Sequence, residues 1–168
     1  LVRKVNFRLS ILPIVKITTA LTVHGIFLLI LVGILFAYGI TPSWHWLQFI
    51  YYLFCTFMLV LGLSWLTSAL NVFVKDVREV VGIFLAFGFW LTPIFWKITM
   101  IPEQYRFVFK LNPLYYVVEG YRKAFLFRVP LWQEDPEMTL YFWGVTVFFL
   151  LAGITVFRKL RAHFADVI

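Results

Sequence analysis

Four stretches of the chain are apolar and long enough to cross a bilayer: 17–40, 48–70, 80–98 and 139–157. Crossing about 30 Å of hydrocarbon takes about 20 mostly apolar residues in a helix. The runs are continuous and show no period-two alternation, so they predict helices rather than barrel strands. None carries Asp, Glu, Lys or Arg, apart from Lys97 at the far end of the third. Thr92-Pro93 predicts a kink near that same end, because proline removes a backbone donor.

The residues flanking the runs set a topology. Residues 1–16 hold Arg3, Lys4, Arg8 and Lys16 without an acid, the 71–79 loop holds Lys75 and Arg78, and the tail holds Arg158, Lys159 and Arg161. The 41–47 loop holds no Lys or Arg. Lys and Arg concentrate on the cytoplasmic side of membrane proteins, which puts both ends and the 71–79 loop there. The long connection 98–138 then faces outward, with its five basic residues offset by five acids. Trp44 and Trp46 at one outer flank, and Trp90, Trp96, Trp132 and Trp143 at the other, suit an interfacial aromatic belt.

Composition changes the picture in one respect. With 62% hydrophobic and 14% charged residues, the chain has more apolar surface than a domain of 168 residues could bury in water. The expected class is an all-α integral membrane protein. Its net charge of +7 is then a topology signal rather than a sign of nucleic-acid binding. Cys55 is the single cysteine and lies inside an apolar run, which excludes an internal disulfide and disfavours a metal site. The chain begins at Leu1 with no signal-peptide pattern before the first run, so we expect a segment of a longer protein.

Several segments offer chemistry beyond spanning. In 1–16, Val2, Val5, Leu9 and Leu12 form an apolar stripe away from Arg3, Lys4 and Arg8, predicting a short amphipathic helix stopped or bent at Pro13. It could lie on anionic headgroups or dock a cytoplasmic partner. The 71–79 loop, with Lys75, Asp76, Arg78 and Glu79, could simply turn the chain or engage a partner surface. Ser64, Thr67, Ser68 and Asn71 fall on one side of the second span, as helix-packing contacts or as the lining of a pore. His24 lies within the first span, where a neutral hydrogen-bonded imidazole is the ordinary state and a proton carrier the alternative.

The connection 98–138 contains "RFVFKLNPLYYVVEGYRKAFLF", nearly as apolar as a span yet charged. Pro102-Glu103 suits the first turn of a helix over about 102–110. Asn112 reads as an N-cap and Pro113 as the first residue of a second helix reaching about 126. Leu114, Val117, Val118, Tyr121 and Phe125 form its apolar stripe, and Glu119 can pair with Arg122 and Lys123. The first helix is too short to cross, and the second too short and too charged. The pair either lies flat on the outer surface or dips in and out of it; dipping needs protein or a water cavity around its backbone ends.

Other chemistry is missing from the sequence. It has no G-x-x-x-x-G-K-[ST] phosphate loop, nucleophile elbow, zincin motif or Cys/His metal spacing. No carboxylate lies inside a span for proton or sodium coupling. An energy source, if needed, belongs to another chain.

Taken together, "LVRKVNFRLSILPIV", "ALNVFVKDVREVV", "FWLTPIFWKITMIPEQYRFVFKLNPLYYVVEGYRKAFL" and "VFRKLRAHFADVI" resemble the permease subunits of type 2 ABC exporters. The resemblance is to the branch that moves lipid-linked polysaccharides such as O-antigen, teichoic acid or capsule. It implies a six-span permease of which this chain supplies the last four spans, one transmembrane domain over 1–168 with cytoplasmic ends. The domain would comprise a coupling segment 1–16, the four spans, outer re-entrant gate helices within 100–127 and a tail 158–168. It further implies a homodimer in the bacterial inner membrane, a separate ATP-binding subunit carrying ATP and Mg, and no cofactor or catalytic residue in this chain.

By the same resemblance, Arg3, Lys4, Phe7, Arg8, Lys75, Asp76 and Arg78 would meet the ATPase subunit. Lys75-Asp76 stands where the family usually has Arg-Asp, which loses a bidentate fork, and Phe7-Arg8 where it often has Phe-Pro. Tyr105, Arg106, Asn112, Pro113, Tyr115, Tyr116, Glu119, Tyr121 and Arg122 would belong to the outer gate. Phe87, Trp90, Phe95 and Trp96, with Tyr115 and Tyr116, would offer ring faces along which sugars slide. The alternatives are a type 2 exporter for a drug or small lipid, and a non-transporting membrane enzyme or scaffold of polyprenyl-linked glycan assembly.

Overall fold

The computed structural model describes residues 11–133 and 135–161, with side chains over 13–133 and 135–160. Every regular element among them is helical, so the chain is an all-α integral membrane protein. Arg3, Lys4, Phe7 and Arg8, together with the "FAD" ending, lie outside the described residues. The chain forms two compact units, residues 1–41 and 42–168.

The first unit is one helix, α1 (Ile11–Ala37), of 27 residues or about 40 Å. Its exposed surface is apolar, as at Phe27, Leu29 and Phe36. Thr18, Thr19 and Thr22 donate their hydroxyl protons to the carbonyls of Ile14, Val15 and Thr18, so these polar groups are satisfied inside the helix. Pro13 lies within α1 and does not stop it, contrary to expectation, and residues 11–16 share the helix of the first span. At the far end Gly39 takes φ +73°, Gly39 N–H reaches Phe36 O at 2.9 Å and Ile40 N–H reaches Leu35 O at 2.9 Å. This left-handed closure is cheap only for glycine.

The second unit is built on α2 (Phe49–Phe73), entered by a single turn at Trp44–Gln48, and α6 (Pro136–Arg161). Tyr52 shares a buried cluster with Phe142, Gly62 meets Leu150 and Gly153, and Ala69 shares a cluster with Phe157. The pairing advances in the same direction along both helices, so α2 and α6 are parallel. The ends where they begin are called the head end below, and the ends where they finish the tail end. A Cβ on Gly62 would lie 2.7 Å from Leu150 N, and one on Gly153 would lie 2.6 Å from Gly62 O. Both obstacles are backbone, which cannot swing aside. Without water to drive apolar association, small residues of this kind let helices in lipid approach.

Parallel neighbours require the chain to travel back between them, and α3 (Val77–Leu91) does so. Three residues separate its start from the end of α2, and its last turn bonds to Asn112 at the head end. With 15 residues, about 22 Å, α3 is too short to cross hydrocarbon alone. Among the described residues three helices are long and apolar enough: Pro13–Ala37, Trp44–Phe73 and Pro136–Leu160. The expected span 80–98 is thus helical only to Leu91. Pro93 would clash with the carbonyl four residues back, and Thr92 before it adopts φ −81°, ψ 127°. A clean helix end replaces the expected kink.

The head end carries α4 (Arg106–Lys110), entered by a turn at Glu103–Tyr105, and α5 (Pro113–Arg122), which continues as a wider π turn to Phe127. Both lie within the expected bounds. Of the stripe read from the sequence, Val117 and Phe125 are buried and Leu114 and Tyr121 pack against the core; Tyr115, Tyr116, Gly120 and Ala124 widen that buried face. Gly120 rests directly on the ring of Tyr52, and a Cβ there would enter that ring.

Gly153→Leu should force α2 and α6 apart at a cost of about 1–3 kcal/mol, read as a lowered unfolding midpoint in detergent. Gly144→Ala, where a Cβ meets nothing within 4 Å, should leave the midpoint unchanged or slightly raised.

Candidate functional site

The non-helical segment after α3 is held by two side chains from α5. Asn112 accepts the Leu114 N–H at 3.0 Å through Oδ1, capping α5 as its sequence context predicts. Its Nδ2 donates to Thr92 Oγ1 at 2.8 Å and to Gly88 O at 3.3 Å, and Thr92 Oγ1 itself donates to Gly88 O at 2.6 Å. Arg122 donates from Nη2 to Ile94 O at 2.7 Å and pairs through Nη1 with Glu119 at 3.3 Å. Gly88 O also accepts the Thr92 N–H at 2.9 Å, so the carboxamide adds a further donor to a last-turn carbonyl of α3, beside the buried Thr92 and Pro93. One carboxamide therefore caps two helices. Sequence reasoning found the first role of Asn112 and missed the second; the pointer was the loss of helix that Thr92-Pro93 imposes.

Behind the clamp, a polar chain runs through the aromatic core. Trp143 Nε1 donates to Tyr51 Oη at 3.0 Å, Tyr51 and Tyr116 hydroxyls lie 3.1 Å apart, and Tyr116 Oη lies 3.1 Å from Thr139 Oγ1. Tyr116 stacks on Phe142 at 4.9 Å between ring centres and is 4% exposed. Tyr115 is buried as well. Tyr116 turns its ring inward onto Phe142, and both tyrosines edge a small cleft with Lys110, Glu119, Lys123 and Asp135 rather than the one lined by Phe95 and Trp96. Burial also pushes the Tyr121 phenol above its usual range, so it stays neutral. Trp46 packs on Phe125 at 5.4 Å and Trp143 on Phe54 at 5.9 Å, and both are half-buried. Tyr51 and Thr139 carried no sequence signal. Tyr141 Oη donates to Leu111 O at 2.6 Å and fastens the α4–α5 junction to α6.

Beside the clamp opens a cleft of about 310 Å³ whose lining includes Phe95, Trp96, Lys97, Glu119, Arg122 and Phe127. Phe95 is 81% exposed, and Trp96 is steadied edge-to-face by Phe109 at 5.2 Å. Phe87 and Trp90 project from the exposed surface of α3 and do not line this cleft. Of the other residues singled out, Tyr105 is exposed, Arg106 Nε donates to Ile101 O at 2.9 Å, and Pro113 opens α5. At the tail end, Lys75 and Asp76 are exposed in the α2–α3 turn, and Arg78 faces a separate cleft between those helices. A flat aromatic wall with charged donors and an acceptor along one edge suits a sugar or a sugar acid, whose apolar face can stack while its hydroxyls bond.

Asn112→Asp keeps the acceptor that caps α5 but loses the donor to Thr92 and Gly88. Its cost should be about 1–3 kcal/mol, with faster amide hydrogen exchange in the last turn of α3 and little change in the first turn of α5.

The membrane-domain model described as "ABC-2 type transporter" matches residues 2–126, from the N-terminal basic stretch to the end of α5. The chain is 28% identical over 173 residues to an O-antigen export system permease protein, RfbA, of Klebsiella pneumoniae, an alignment that covers 100% of this chain and 64% of that protein. It is 27% identical over 169 residues to the O-antigen export system permease protein RfbA of Myxococcus xanthus, covering 99% and 64% respectively. The chain thus spans somewhat under two thirds of the length of these relatives. A helical bundle with a short, clamped helix pair at one end, matched over most of its length, belongs to the ABC-2 type transporter membrane-domain family.

Proposed function

We propose that this chain is part of the transmembrane subunit of an ATP-driven exporter that carries lipid-linked polysaccharide across the bacterial inner membrane. The observation that carries the reading is the aromatic cleft beside the clamped α4–α5 pair, in a chain related along its whole length to proteins named as O-antigen permeases. Head-end elements then face outward and tail-end elements face the cytoplasm, in keeping with the Lys and Arg balance.

In this reading a second copy of the chain completes the pathway. The second unit leaves α3 with only a narrow half-buried stripe at Val77, Val81 and Gly88, while Ile83, Phe84, Phe87 and Trp90 are exposed. A partner copy and lipid tails together cover such a surface. A separate ATP-binding subunit supplies the work through ATP and Mg, engaging residues 1–8 and the Lys75–Arg78 turn. A push at that turn reaches the head end along α3, since its last turn is bonded to Asn112 and its extension to Arg122. Movement of α3 is thereby movement of α5. Phe95 and Trp96 stack successive sugars without demanding a fixed register, which a sliding polymer needs.

Phe95→Ala and Trp96→Ala should each lower polysaccharide export two- to tenfold, from roughly 0.5–1.5 kcal/mol of lost ring contact, with unchanged protein in the membrane. The measurement is surface glycan on cells lacking the native gene and carrying the variant. Unaltered surface glycan after deletion of the gene itself would refute the reading.

A further inference from the structure

A second cleft, of about 230 Å³, opens at the tail end between α2 and α3. Thr67, Ser68 and Asn71 line it from α2, and Val77, Arg78 and Val81 from α3. The helical spacing puts the three α2 residues on one side, and the short turn after Phe73 brings Arg78 opposite them. Thr67 gives its proton to Leu63 O at 2.8 Å. Among the described residues, the side chains of Ser68, Asn71 and Arg78 make no hydrogen bond or ion pair. A hydroxyl, a carboxamide and a guanidinium thus converge with their donors unspent.

The first turn of α3 adds the positive end of its helix dipole at Val77. Asp76 and Glu79 sit on the same turn, but neither lines the cleft. No aromatic ring lines it either, unlike the head-end cleft, so a sugar finds no platform there. An oxyanion is the group that uses every donor present. The tail end also carries Lys75, Arg158 and Lys159, which draw anionic headgroups to that level.

We propose that this cleft binds the phosphate head of a lipid, with Arg78, Asn71 and Ser68 as its donors. Two sources share that chemistry: an anionic phospholipid of the surrounding leaflet, and the diphosphate of a lipid-linked glycan. Only the second rests on the export reading.

The test is native mass spectrometry of the full-length protein in detergent, with phosphatidylglycerol, phosphatidylcholine and farnesyl diphosphate as probes. Wild type should retain the anionic probes over phosphatidylcholine. Arg78→Gln and the double variant Ser68→Ala/Asn71→Ala should lower that retention roughly tenfold, and Arg78→Lys should fall between. Retention of farnesyl diphosphate well above phosphatidylglycerol assigns the site to the glycan carrier's head, and comparable retention assigns it to bulk phospholipid. Retention equal in wild type and variants, or equal for phosphatidylglycerol and phosphatidylcholine, overturns the proposal. Ser68, Asn71 and Arg78 are exposed, so the variants should elute as the wild type does. No step measures export, so this outcome is independent of whether the export reading holds.

Discussion

The head end of this protein depends on the hydrogen bonds by which Asn112 and Arg122 tie α5 to the last turn of α3 and to the segment that Pro93 keeps out of the helix. In lipid, a carbonyl without a donor costs several kcal/mol and water is not there to supply one. A helix that stops short must therefore find donors in protein. Asn112 Nδ2 reaches the last turn of α3 and Arg122 reaches Ile94 O, so α5 is bound to the polypeptide it helps to terminate. This constraint joins a short helix, an extended stretch and the two head-end helices α4 and α5. It also explains why charged residues occur in so apolar a segment: they serve backbone groups and a wet cleft.

The second constraint is the contact of Gly62 with Gly153. Two glycines at facing positions let α2 and α6 run in parallel at backbone distance, which commits the intervening residues to a return path. α3 takes that path with most of its surface uncovered. Close packing on one side and an open apolar surface on the other is the pattern expected of a helix that meets lipid. The pair α2–α6 thereby forms the wall on which α5 packs, and α3 is tied to that assembly through Asn112 and Arg122.

Much of this was legible along the chain. Continuous apolar runs of helical length, Lys and Arg at alternate ends, and Asn112-Pro113 as a helix start all depend on residues close in sequence, where propensity and capping act. The Glu119–Arg122 pair belongs to the same class. The helix of the third run ends at Leu91, short of the expected 98, because hydropathy does not stop at a proline, whereas backbone hydrogen bonding does. Tyr116 was misassigned because an aromatic ring looks the same in sequence whether it faces a channel or stacks on Phe142.

Sequence by itself determined that the chain lives in lipid, how many apolar runs it has, which ends carry positive charge and where α4 and α5 start. Each of these follows from local chemistry: transfer energy, charge count, and the reach of a side chain to its own backbone. Only the tertiary structure decided that α2 and α6 are parallel and meet at glycine, that Asn112 serves two helices, and that Ser68, Asn71 and Arg78 face one cleft. Those facts depend on residues tens of positions apart meeting in space, and that meeting is set by packing, which no single stretch of sequence records.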